Sequence, residues 1–215
     1  RARRCDRGGR LRAGDDAVSP RPKLRTPELR ARVLDAAVEV LRQDGPTALT
    51  TRRVAAAAGT STGAVYELFG DKGGLVRAVF FEGFRLLGER FDRHHPTEDP
   101  RADLIAVLLE ARAFVREHRL LADVMFSQPF AVFEPGKAEL RAGAAVREVV
   151  LDRVRRCIGA GTLSGDPTDI AHVLLAVVQG LIAQETAGWL GTSAASMARR
   201  WDLALQATLD GLAPR

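Results

Sequence analysis

Two clusters of hydroxyl, small and basic residues, Thr50-Thr51-Arg52-Arg53 and Ser61-Thr62-Gly63-Ala64, are followed by Tyr66 and Lys72. A threonine at a helix start offers a hydroxyl and an unpaired backbone N–H to a phosphate, and a neighbouring arginine adds charge. Small side chains at Thr62, Gly63 and Ala64 let the first turn of a helix approach base edges closely, where each specific contact is worth roughly 1–3 kcal/mol. Tyr66 either reaches a phosphate with its hydroxyl or packs between helices. This is recognition chemistry rather than bond-making chemistry. The histidines at 94, 95, 118 and 172 and the lone Cys157 show no metal-ligand spacing. There is no nucleophile elbow, phosphate-binding glycine loop or paired carboxylate motif. An enzyme, a metal and a cofactor are therefore not expected, and Cys157 reads as a core thiol.

The elements that must position these residues are all helices. Thr26-Pro27-Glu28 is an N-cap, a proline at the first helical position and an acid near the positive end of the dipole. Leu29, Val33, Ala37 and Val40 then repeat at helical spacing until Gly45-Pro46. Thr50 or Thr51 caps a short second helix over 52–58, and Ser61 a third through Phe69, closed by Gly70 in the left-handed conformation. Asp71 caps a fourth to about Arg93, with Phe80, Phe84, Leu87 and Phe91 as its stripe. A fifth covers about 100–117 and a sixth 120–126, followed by a proline- and phenylalanine-rich loop over 127–136. The seventh, about 137–158, sets Leu140, Ala144, Leu151, Val154 and Ile158 on one side. An eighth starts at Asp166-Pro167; its span 170–182 is apolar nearly all round, so it is expected to be buried on most sides. That span is too short, and too interrupted by His172, Gln179, Gln184 and Glu185, to cross a bilayer. A ninth has Met197, Trp201, Ala204 or Leu205, and Leu209 as its stripe. The expected fold is thus all-α, with about nine helices.

Composition agrees with a folded helical chain and locates its charge. The 215 residues are 46% apolar and 27% charged, with a net charge of +5. Residues 1–25 hold nine basic groups and three acids, a net of +6, so the other 190 carry −1. With so little apolar content this segment is expected to be a disordered basic arm that tracks phosphates, or a passenger with no role. No apolar stretch follows the N-terminal arginines, so no secretory signal is expected. Cys5 and Cys157 cannot make a disulfide framework, which fits a reducing cytoplasm.

Three short helices with a glycine in the turn between the second and third form a helix-turn-helix, whose third helix enters the major groove. The run from Leu49 to Lys72 resembles the DNA-binding signature of tetracycline-repressor (TetR) family regulators. The resemblance covers Thr26 to Val76. It implies a transcriptional regulator, for which a repressor is the expected role, with Thr50, Thr51, Arg52, Arg53, Ser61, Thr62, Gly63, Ala64 and Tyr66 facing DNA and Lys72 similar to the family's phosphate-binding lysine. Glu67 and Leu68 depart from the usual pattern. Glu67 either accepts from a cytosine amino group or pairs with Arg52 or Arg53; Leu68 meets a thymine methyl or is buried. Residues 26–70 carry five bases and five acids, so the arm is expected to contribute to affinity.

The expected division is a basic arm over 1–25, a DNA-binding unit over 26–72, and a ligand-binding and dimerisation unit over 73–215. A cavity for a mostly apolar small molecule is expected among Phe84, Phe91, Phe114, Met125, Phe126, Phe130, His172 and Gln179. A homodimer suited to a palindromic operator is expected through Val173, Val177, Leu181, Trp189, Met197, Trp201, Leu205 and Leu209 on helices eight and nine. The expected partners are double-stranded operator DNA, a small-molecule effector and a second copy, with no membrane. A sequestering all-helical carrier with a degenerate helix-turn-helix is the competing expectation.

Overall fold

The computed structural model describes residues 26–126 and 136–214. The expected basic arm (1–25), most of the loop after helix six, and with it Phe130, lie outside the described residues. Among those described there are nine α-helices and no strand: α1 (Pro27–Asp44), α2 (Thr51–Ala57), α3 (Thr62–Phe69), α4 (Lys72–Asp92), α5 (Pro100–Glu117), α6 (Arg119–Phe126), α7 (Lys137–Gly159), α8 (Pro167–Thr186) and α9 (Ala194–Gly211).

Side-chain caps set most of the helix starts. Thr26 accepts a hydrogen bond from Leu29 N at 3.1 Å and Asp71 one from Gly74 N at 2.7 Å, each satisfying a backbone donor that the first turn leaves orphaned. Asp166 accepts from Thr168 N and Asp169 N at 2.8 and 3.0 Å. α1 packs on α2, and also on α4 and α6. Behind it, α5 pairs with α7, and α8 packs on α7, α5 and α9. One continuous core runs from Leu29 on α1 to Leu209 on α9.

Gly74 is required by a close approach. A Cβ there would be driven into the Phe69 carbonyl oxygen, so the first turn of α4 sits directly against the end of α3. Gly74 therefore serves tight packing between α3 and α4.

Three sequence expectations change. Leu140 is exposed while Glu139, one position earlier, is buried, because the first turns of α7 face a cavity rather than solid core. α8 reaches 20 residues, long and apolar enough by composition to cross a membrane. It is not buried on most sides: Ile170, Ala171, Leu174 and Val178 are its buried positions, whereas Val173 is exposed. Its Glu185 is locked into an ion pair within the subunit, and its four buried positions pack on α5, α7 and α9.

Candidate nucleic-acid interface and effector cavity

The helix-turn-helix is built from α2 and α3, held on α1. Thr50, rather than Thr51, caps α2, accepting from Arg53 N at 3.3 Å, and Ser61 caps α3, accepting from Ala64 N at 3.1 Å. Val65 and Phe69 face inward, as their spacing required. Thr62 and Gly63 stand exposed on the first turn of α3. Tyr66 is 51% exposed, and the Thr51 hydroxyl donates to its hydroxyl oxygen at 3.4 Å, joining the start of α2 to the middle of α3 on the outer face. Lys72 is exposed at the first residue of α4.

Ala64 corrects the expectation. It is fully buried, so its side chain packs into the core and cannot reach a base. Leu68 is half-buried against the core. Glu67 is exposed and pairs with neither Arg52 nor Arg53; Arg53 pairs with Asp44 at 2.7 Å.

Two residues that sequence reasoning passed over organise this unit. The Arg30 guanidinium donates to the Leu68 carbonyl at 3.1 Å and lies 4.6 Å from the centre of the Phe69 ring. Arg32 donates to the Ala58 carbonyl at 3.2 Å. Each places a cation where the last carbonyls of a helix are unsatisfied, which suits the negative end of its dipole. With Arg42 on Glu39 at 2.6 Å and Arg53 on Asp44, Arg52 is the one arginine of residues 26–70 that no other described residue engages. The signal for Arg30 and Arg32 was absent, since neither carbonyl is near in sequence.

Behind this unit lies an open cavity of about 840 Å3 lined by α4 to α8. Phe84, Phe91, Met125, Phe126 and Gln179 line it, as expected. The Phe84 ring sits 4.9 Å from that of Phe80 and 5.7 Å from that of Phe126, centre to centre. Phe114 does not line it: the ring is buried between Arg90 and His118. Burial pushes the His118 imidazole below its ordinary pKa, so it is neutral in that packing role. His172 does not line it either. It is exposed, with Nδ1 2.8 Å from the Thr168 carbonyl oxygen of its own helix. Sequence reasoning missed the charged lining residues Arg119, Asp123, Glu139 and Arg147. Glu139 is buried; one oxygen accepts from Gly136 N at 2.8 Å and the other lies 3.2 Å from Arg77 Nε.

At the far end of the cavity a polar lock joins α5, α8 and α9. Arg112 donates twice to Glu185, at 2.7 and 3.1 Å, and Trp201 Nε1 donates to the same carboxylate at 2.7 Å. The Arg112 guanidinium also lies over the Trp201 ring. Burial alone would raise the Glu185 pKa, and the bonds from Arg112 and Trp201 outweigh it, holding the group ionised below the ordinary carboxylate value.

This lock corrects the expected dimer face. Trp201, Leu205 and Leu209 are buried within the subunit, because α9 turns that stripe onto the subunit's own core. Val177, Leu181 and Met197 are half-buried. Val173 and Trp189 remain exposed, and so does Leu203, 69% accessible on the opposite side of α9. Cys157 is buried, its thiol lies 3.2 Å from the Pro100 carbonyl oxygen, and burial raises its pKa, which makes it an inert core thiol. No metal-ligand cluster occurs among the described residues.

Comparison with known proteins assigns both halves to one family. The profile described as "Bacterial regulatory proteins, tetR family" matches residues 33–79, and that described as "Tetracyclin repressor-like, C-terminal domain" matches residues 104–208. The HTH-type transcriptional regulator BetI of Paraburkholderia phytofirmans is 38% identical over 90 residues, 40% of this chain; the chain spans only 46% of that curated relative's length. Among solved structures, a protein of unknown function from Rhodococcus sp. RHA1 superposes with a TM-score of 0.76 at 26% identity, covering 90% of this chain and all of that one. The TetR family transcriptional regulator PfmR from Thermus thermophilus superposes with a TM-score of 0.62 at 19% identity, covering 81% of this chain and 97% of its own, a likeness of fold alone.

Proposed function

The chain belongs to the TetR family of bacterial transcriptional regulators, and from that premise we propose that it is a dimeric, effector-responsive repressor that binds a palindromic operator in the cytoplasm. The observation that carries this reading is one continuous helix. α4 begins at Lys72, against the end of α3, and runs on to Phe84, Leu87 and Phe91 in the cavity wall. A molecule that prefers one tilt of α4 therefore changes the separation of two α3 helices in a dimer. It acts only through its different affinity for the DNA-competent and DNA-incompetent states.

Thr51, Arg52, Thr62, Gly63, Tyr66 and Lys72 are assigned to DNA, with Thr50 and Ser61 holding the helix starts through their caps. The exposed apolar positions of α8 and α9, Val173 and Leu203 first among them, are assigned to the second copy; their exposure supports that role. Catalysis forms no part of this reading, since the family is one of regulators.

Binding to the DNA upstream of the protein's own gene tests it. Thr62→Glu places a carboxylate against the DNA and is expected to weaken binding by at least the roughly 1–3 kcal/mol of a lost base contact, with Lys72→Ala weakening it less. Unchanged binding in both variants would overturn the regulator reading. Operator binding that persists at a saturating effector would overturn the release mechanism alone.

A further inference from the structure

We propose that the effector is an amphipathic anion, whose apolar chain fills the main cavity and whose carboxylate or phosphate head is held by Arg116 and Arg119 in an adjoining side chamber. This rests on the reading of the cavity as an effector site.

The side chamber, about 300 Å3, lies among α5, α6, α8 and α9. It shares Val115, Arg119, Ile182 and Thr186 with the main cavity, so the two spaces adjoin across those side chains. The main chamber is walled mostly by phenylalanine and aliphatic side chains. The side chamber holds three arginines, Arg112, Arg116 and Arg119, against a single acid, Glu185.

The hydrogen bonds decide which of these charges is available. Arg112 is spent on Glu185 through two bonds, and Trp201 Nε1 takes a further bond to the same carboxylate. Glu185 thereby stays in the chamber wall with both carboxylate oxygens engaged. Arg116 reaches it only at 3.6 Å and is 62% exposed. Arg119 has no ion pair among the described residues, and Asp123, one turn further along α6, lines the main chamber but not the side chamber. Arg119 also opens α6, so the positive end of that helix adds to the same field.

Arg116 and Arg119 thus line a partly enclosed space whose one acid, Glu185, is already bonded to Arg112 and Trp201 and only loosely neighbours Arg116. An anionic head there gains charge-assisted, forked hydrogen bonds without breaking the internal pair. A cationic head would meet uncompensated like charge, and a neutral one would gain neutral hydrogen bonds only.

Calorimetry on the full chain with three probes of equal chain length, dodecanoate, dodecyl phosphate and 1-dodecanol, tests the assignment. Either or both anions are expected to bind about tenfold or more tightly than the alcohol at low salt, the tighter of them identifying the head. That advantage should shrink as salt rises. In an Arg116→Gln/Arg119→Gln variant the anions should fall to the affinity of the alcohol while the alcohol keeps its own, which also shows that the variant is folded. Equal affinity for all three probes in the unaltered chain would overturn the anionic head and leave the cavity reading standing. The same holds if the double variant weakens alcohol and anions alike. Binding of none of the three would overturn the cavity reading and the proposal together.

Discussion

α3 and α9 are both amphipathic, both start at a serine cap, and both bury one stripe in the subunit. On α3 the buried stripe is Ala64, Val65 and Phe69, and the outer face holds Thr62, Gly63, Tyr66 and Glu67. On α9 the buried stripe is Trp201, Leu205 and Leu209, while the outer face still carries Leu203. A helix with one apolar face has one orientation, which the spacing reveals. A helix with apolar residues on two sides has two candidate partners, its own core and a second subunit. The strength of a stripe does not say which partner takes it. The larger side chain, Trp201, went inward because Glu185 offers its indole N–H an acceptor there.

The largest expected effect sets the two sides of α9 against each other. Trp201→Ala should cost about 3–5 kcal/mol of stability, read from denaturant unfolding, through loss of a buried aromatic and of its hydrogen bond. Leu203→Glu should cost far less within the subunit but move the sedimentation profile towards monomer. If Leu203→Glu destabilises the fold as severely and leaves the assembly unchanged, the assignment of the two faces is reversed.

Next comes the junction between the two units. Gly74→Ala should cost about 1–3 kcal/mol by overpacking the added methyl against the Phe69 carbonyl, and operator affinity should fall with it as α3 is displaced. Normal affinity at lowered stability would mean that the packing of α4 on α3 is structural only.

Ser61→Ala and Ser193→Ala should each cost about 1 kcal/mol as lost caps. Only the α3 cap should also weaken operator binding, since of the two helices only α3 is proposed to face DNA. A comparable loss from Ser193→Ala would erase the distinction drawn between the helices.

The smallest effect is a dependence on pH far from the DNA. Burial would raise the Asp103 carboxyl, but Arg156 at 2.5 Å and the Thr97 N–H and hydroxyl at 2.8 and 2.7 Å bring it down to about 2 from an ordinary 3.8. A depressed folded-state pKa contributes stability above the unfolded value, and that contribution is lost as pH falls through the folded value. The Tm difference between the parent and Asp103→Asn should therefore be full above pH 3.8 and shrink as the pH falls towards 2. Operator affinity near neutral pH should not respond. A difference that grows on acidification would contradict the arrangement around Asp103.

Much of this was legible in the chain. Caps at Thr26, Ser61, Asp71 and Asp166 and glycines at Gly45 and Gly70 mark helix ends because the orphaned backbone groups there need short polar side chains or a positive φ. The exposed face of α3 was equally readable, since Val65 and Phe69 leave only one side for Thr62 and Tyr66. The cavity was half legible: phenylalanines pointed to it, but Phe114 and Phe84 look alike in sequence, and only Phe84 lines it while Phe114 packs between Arg90 and His118. Its charged lining left no signal, because Arg119 and Arg147 follow no spacing that separates an arginine facing a cavity from one facing water.

The sequence by itself determined the helices, their order and the turn between α2 and α3, all of which depend on neighbours within a few residues. Tertiary structure alone decided the rest. It committed Arg30 and Arg32 to the ends of α3 and α2, turned Trp201 inward, and left Arg116 and Arg119 facing the side chamber. These are pairings across 16 to 73 residues, such as Glu185 with Trp201 and with Arg112. Such pairings are set by which helix faces meet, and no local periodicity carries that information.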